Sequence, residues 1–182
     1  GGTRLDRVYV LGLGKASDID ALAMQAAGGQ VFAALSNKGS GRLSVAVDAI
    51  DGCAMGTDEM AANMAYGARL RSYRFDKYRT KDNADTRPTL RTLTLHCDAV
   101  GRARSRFARL DKVADGVFFT RDLVSEPANI IYPESLAAEA RRLSRMGVKV
   151  EVLGEPQMKR LGMGALLGVG QGSARDSKLV VM

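Results

Sequence analysis

Residues 121–143 read RDLVSEPANIIYPESLAAEARRL, and this stretch divides the chain. Upstream of it, Phe107, Leu110, Ala114, Val117 and Phe118 recur at three- and four-residue steps. That spacing predicts a long helix from about Ala103 to Val124. The run Ser125–Pro133 then breaks the pattern, because proline cannot continue a helix and restrains the residue before it. Downstream, Leu136, Ala140 and Leu143 share one face of a second helix, Glu134 to Met146, with Gly147 placed to end it. Ser125–Pro133 is accordingly the best domain boundary in the chain.

Working outward, strands and helices alternate. Arg7–Leu11 (RVYVL) reads as a short buried strand turned by Gly12-Leu13-Gly14. Ser17, with Asp20 three residues on, has the form of a helix N-cap and its reciprocal acid. The Ala-rich run from Ile19 to about Leu35 follows as a helix that Gly28-Gly29 weakens. Leu43–Ile50 alternates as a strand. Thr57 caps a helix whose first turn carries Asp58 and Glu59, where they complement the macrodipole, with Met60, Met64, Gly67/Ala68 and Arg71 following at helical spacing. Lys81–Pro88 is a polar loop and Thr89–Cys97 a third strand. Past the boundary, Val148–Leu153 alternates as a strand, Pro156–Leu161 forms a short helix, and Leu166–Val169 and Leu179–Met182 are the last strand candidates. The order predicts an α/β fold with a largely parallel sheet.

Composition sets the class. Of 182 residues, 46% are apolar and 26% charged, as in a globular protein, and aromatics at 5% leave the core to Val, Leu, Ala and Met. The two cysteines, Cys53 and Cys97, match no metal or redox spacing and read as small buried residues of a reduced, cytosolic protein. No run of 18 apolar residues is present, so no membrane span is expected. The net charge of +7 favours nucleic acid or anionic surfaces. The chain opens on a strand pattern without an initiator Met and stops inside an apolar run, which predicts an internal piece of a larger protein. Its last strand would then lack neighbours, and a chain of residues 1–182 alone should self-associate.

Candidate chemistry is sparse. Gly12-Leu13-Gly14-Lys15 stands between a strand and a helix, where phosphates bind in many α/β folds, but Ser17 falls where the third glycine of G-x-G-x-x-G belongs. A tight turn is the better reading. Gly168-Val169-Gly170-Gln171-Gly172-Ser173 is likewise a turn, with no helix start after it. Arg69, Arg71, Tyr73, Arg74, Phe75, Lys77, Tyr78 and Arg79 interleave cations with aromatics. That composition suits a single-stranded nucleic-acid surface, and equally a protein interface or a helix end. His96, the one histidine, has no second ligand or partner acid in its pattern and reads as structural. The residues by themselves assemble no catalytic constellation.

The stretch 121–143 also resembles the junction between the two domains of the leucyl (cytosol) aminopeptidase family. Arg121, Asp122, Leu123, Pro127, Ala128, Asn129 and Pro133 match its Arg-(Asp/Asn)-Leu-x-(Asn/Ser)-x-Pro-(Ala/Pro)-Asn block and the proline after it; Ser125 stands where Asn is common. Leu161–Ser173, Val10–Lys15 and Leu70–Thr80 are similar to further family blocks in the same order. The resemblance implies a macro-domain-like N-terminal α/β domain (1–102), a connecting helix (103–124), and the first elements of an α/β metallopeptidase domain (125–182). It implies a cytoplasmic hydrolase that removes N-terminal residues such as Leu from peptides, works as a homo-hexamer and holds two divalent ions, Mn2+ or Zn2+. Some bacterial members also bind DNA. The family's metal ligands and catalytic residues come from a lysine in a Gly-rich strand segment and an Asn-Thr-Asp-Ala-Glu-Gly-Arg run, and no residue here matches either. No catalytic residue or metal ligand is therefore assigned, this chain alone is expected to be inactive, and the remainder of the catalytic domain is its expected partner. A non-catalytic basic macro-like module that binds nucleic acid or nucleotide is the alternative.

Overall fold

The computed structural model describes residues 7–38, 41–81 and 87–182. The chain divides into two compact units, Gly1–Phe119 and Thr120–Met182. The first holds α1 (Ala21–Leu35), β1 (Arg42–Ala46), α2 (Thr57–Ser72), β2 (Thr92–His96) and most of α3 (Val100–Ser125).

α1 and α2 form the heart of this unit. A Cβ placed on Gly28 would lie 1.9 Å from the carbonyl oxygen of Met64, and one on Gly67 would lie 1.9 Å from that of Gln25. Both glycines are therefore required by the close helix crossing, and Gly28 is a contact point rather than a weakness. Around the crossing Met24, Ala27, Met60, Ala61 and Met64 are buried together with Ile19 and Val47. The polar faces meet as well: Gln25 Nε2 donates to Asn63 Oδ1 at 2.8 Å. β1 and β2 pair in parallel, Leu43 opposite Leu93 and Val45 opposite Leu95, and these four are half-buried while the alternate residues face out.

The second unit holds the end of α3, then α4 (Pro133–Arg142), β3 (Glu151–Leu153), α5 (Glu155–Arg160), α6 (Gly164–Gly170) and β4 (Leu179–Val181). Pro133 occupies the first turn of α4, where its missing N–H costs nothing. Just before it, Ser135 Oγ accepts from Tyr132 N–H at 2.9 Å and donates to Ile130 C=O at 2.7 Å, which fixes the turn. A 3-10 turn, Leu143–Met146, ends at Gly147 in the left-handed region, φ +89°. Met158 and Ala137 are fully buried.

Several expectations are corrected. Arg7–Leu11 is not a strand: it has no ladder partner among the described residues, and Val8 and Val10 are exposed. Asp20 rather than Ser17 caps α1, its carboxylate accepting from Ala23 N–H at 2.7 Å, while Ser17 Oγ bonds Asp18. Gly56, not Thr57, is the N-cap of α2. Leu166–Val169 is helical, because a helix satisfies its backbone locally, as in Leu167 N–H to Met163 C=O at 3.1 Å, where a lone strand has no neighbour. The sheet is not largely parallel either. α5 and α6 fold back about Gly162 (φ +73°), and β4 returns antiparallel to β3. Of the loop expected at Lys81–Pro88, residues 82–86 lie outside the described residues.

Gly28→Ala or Gly67→Ala should destabilise the chain by at least about 1–3 kcal/mol, since the backbone must move to admit the methyl. Gly29→Ala, with its nearest neighbour at 3.7 Å, should be neutral or gain up to about 1 kcal/mol from helix propensity. Urea unfolding of the three variants checks this, and equal effects would contradict the crossing.

Candidate functional site

The concentration of charge in the first unit lies along α2 and α3. α2 carries acid at its start (Asp58, Glu59) and base at its end (Arg69, Arg71), each favourable to its own macrodipole. α3 carries the opposite order. Arg106 Nε donates to Asp58 Oδ2 at 2.9 Å, and Arg102 Nε lies 3.5 Å from the same oxygen. At the other end, Arg69 donates to the carboxylate of Asp111, to the Asp111 C=O at 2.7 Å, and to Asp115 Oδ1 at 2.7 Å. The reversed order fits only parallel alignment of the two helices, because antiparallel placement would set like charges together.

Asp58 is the most enclosed of these carboxylates, with 7% of its side chain exposed. The Arg106 hydrogen bond, aided by the charge on Arg102, holds its carboxyl below the usual range. Asp115 is lowered likewise, first by its Arg69 hydrogen bond and then by that of Lys112. In the second unit Lys178 Nζ bonds Glu134 at 2.8 Å, which lowers the Glu134 carboxyl and raises the Lys178 ammonium. Arg175 lies over the Tyr132 ring, 3.9 Å from its centre.

The eight residues singled out from 69 to 79 separate. Arg69 is turned inward, held by Asp111 and Asp115 and stacked 5.5 Å from the centre of Phe118. Tyr73 packs on the same Phe118 ring at 5.2 Å. Arg74 reaches Asp76 at 3.7 Å, and Phe75 and half-exposed Tyr78 meet edge-on at 5.9 Å with Lys77 over Tyr78. Arg71, Lys77, Tyr78 and Arg79 are exposed. The stretch is thus a helix end with half-buried aromatics on one side and an exposed cationic loop on the other.

The remaining candidates supply no reactive centre. Gly14 is left-handed, φ +83°, and makes a tight turn into the 3-10 turn Ala16–Asp18, with no strand before it among the described residues. Gly168 and Gly170 close α6 and the expected turn follows over Gln171-Gly172, with Ser173 N–H donating to Gly170 C=O at 3.0 Å. His96 is exposed at the end of β2, and Cys53 and Cys97 are free and half-buried. Among the described residues no three His, Cys, Asp or Glu side chains gather as a metal-ligand group. These residues therefore do not fit a two-metal centre, which needs several converging carboxylates. Among the described residues, too, no helix is long and apolar enough to cross a membrane.

The Asp58 pair has a defined pH signature. Because its folded-state pKa is depressed, its stabilisation is fully present above the unfolded value of about 3.9 and is lost as pH falls through the folded value. Asp58→Asn should therefore lower stability at pH 7, and the gap to the parent chain should be narrower at pH 3. Denaturant melts at both pH values test this, and a gap that does not change with pH would contradict it.

Known proteins match the whole of this layout. The model of the N-terminal domain of the cytosol aminopeptidase family matches residues 1–82, and that of the family's catalytic domain matches residues 118–182. A "Probable cytosol aminopeptidase" of Caulobacter vibrioides is 41% identical over 182 residues, which is all of this chain and 35% of the relative. One from Chelativorans sp. is 44% identical over 182 residues and is covered to 36%. The chain thus spans about a third of the length of the curated relatives it matches. Among solved structures, the bottromycin maturation enzyme BotP superposes with TM-score 0.74 at 28% identity, over 93% of this chain and 35% of its own. A second BotP structure is a complex with Mn, with TM-score 0.73 at 28% identity, 93% of this chain and 34% of that one. A mutant tomato leucine aminopeptidase gives TM-score 0.74 at 25% identity over 89% of this chain and 32% of its own. Two domain models in the family's order, relatives that align from end to end of the chain, and an α/β fold shared with BotP and with tomato leucine aminopeptidase lead to one conclusion: this chain belongs to the cytosol aminopeptidase family.

Proposed function

We propose that this chain is the scaffold portion of a metal-dependent aminopeptidase that removes N-terminal residues such as Leu from peptides. In this reading residues 1–102 are an N-terminal macro-like domain, 103–124 the connecting helix, and 125–182 the opening of the metallopeptidase domain. The observation that carries it is the match of both family domains in order on one chain. The two divalent ions would be held by residues other than those described, and would supply the polarised carbonyl and activated water of peptide hydrolysis. The Mn complex of BotP supports manganese as one such metal. Residues 1–182 would position that centre and supply subunit contacts of a hexamer in the cytoplasm.

One observation favours a second role. Arg71 and Arg79 are exposed beside the half-exposed Tyr78, a cation and aromatic combination that suits single-stranded nucleic acid. Contact with five phosphates would weaken binding by roughly 10²–10³ between 50 and 200 mM salt. Arg71→Ala, Arg74→Ala and Arg79→Ala together should abolish such binding, and binding that ignores salt would exclude this role.

The scaffold reading is tested by exchange. Residues 1–182 should hydrolyse no leucine p-nitroanilide with added Mn2+ or Zn2+. Grafted in place of the matching third of the Caulobacter vibrioides relative, they should sustain its activity within about tenfold. Turnover by residues 1–182 alone, or a folded but inactive chimaera, would overturn the reading.

A further inference from the structure

Between α2, β2 and α3, wholly within the first unit, lies a trough of about 600 Å3, within the size range of small-molecule sites. Ala61, Ala65 and Ala68 of α2, Leu93 and Leu95 of β2 and Phe107 of α3 line it. Alanines are too short to fill the space, and Arg69, which also lines it, is drawn toward α3 by Asp111 and Asp115. Ala65, Leu93, Leu95 and Phe107 are half-buried along it, and Ala61 and Ala68 form its buried floor.

Its charge is one-sided. Among the described residues no carboxylate lines it, whereas Arg91 and Arg104 do; both are exposed, and neither side chain has a hydrogen bond or ion pair among those residues. Arg69 also contributes, but its guanidinium is committed to Asp111 and Asp115. The other concave surface of this unit, lined by Arg102, Arg106 and Arg109, differs: Glu59 lines it too, and Asp58 already binds Arg102 and Arg106. An apolar trough with two uncommitted guanidinium forks is the complement of a molecule with an apolar tail and a planar anionic head.

We propose that this trough binds a single long-chain carboxylate, its tail against the alanines, Leu93, Leu95 and Phe107 and its head on Arg91 and Arg104. The site is independent of peptide hydrolysis and does not rest on the aminopeptidase reading.

The test is displacement of a dansyl-labelled fatty acid from residues 1–182 by three twelve-carbon competitors below their micellar concentrations. Dodecanoate should compete saturably at one site, dodecanol at least about tenfold more weakly, and dodecyltrimethylammonium not at all. Arg91→Ala with Arg104→Ala should reduce dodecanoate to the level of dodecanol; both positions are exposed, so folding is not at stake. Ala65→Leu, checked for folding by circular dichroism, should remove binding of both tails. Non-saturating uptake, equal competition by the three head groups, or binding indifferent to the arginine pair would overturn the proposal and mean that tails adhere to exposed apolar surface elsewhere.

Discussion

Gly28 and Gly67 let α1 and α2 approach until the carbonyl oxygens of Met64 and Gln25 stand where side chains would otherwise begin. Each glycine costs its helix about 1 kcal/mol of propensity, and the close crossing offsets that by sealing Met24, Met60 and Met64 from water. The rest of the first unit depends on that contact. The half-buried faces of β1 and β2 need an apolar layer to pack on, and α3 needs α2 held in place so that Asp58 and Arg69 can meet their partners.

That dependence separates two kinds of packing on the same helix. On the α1 side, α2 is close-packed and apolar. On the α3 side it is bridged by charge, through Arg69 to Asp111 and Arg106 to Asp58, and alanines line the trough between α2, β2 and α3. Long ion pairs specify direction and register while demanding little shape complementarity. Held in this way, α3 is aligned parallel to α2 by its ion pairs.

Much of this was legible in the sequence. The helical spacing of Met60 and Met64, and of Phe107, Leu110 and Ala114, located α2 and α3 to within a few residues, and Pro133 and Gly147 marked real boundaries. What failed did so for physical reasons. Gly28-Gly29 reads as a helix weakness because propensity is local, whereas the oxygen that demands Gly28 belongs to a residue 36 positions later in the numbering. Leu166–Val169 is a short apolar run, and periodicity cannot tell a strand from a helical turn at that length. Arg69 looked like one more surface cation, since its acceptors, Asp111 and Asp115, lie 42 and 46 residues away and no local pattern joins them. The trough was invisible for the same reason: it is made of unremarkable alanines and leucines that only the fold brings together.

The central claim is that residues 1–182 supply architecture and not the metal centre, and metal stoichiometry tests it most directly. Equilibrium dialysis of the metal-free chain against micromolar Mn2+ and Zn2+ at neutral pH should recover no stoichiometrically bound ion under the proposed scaffold role. Two tightly held ions per chain would contradict the account and place the reactive centre within these residues.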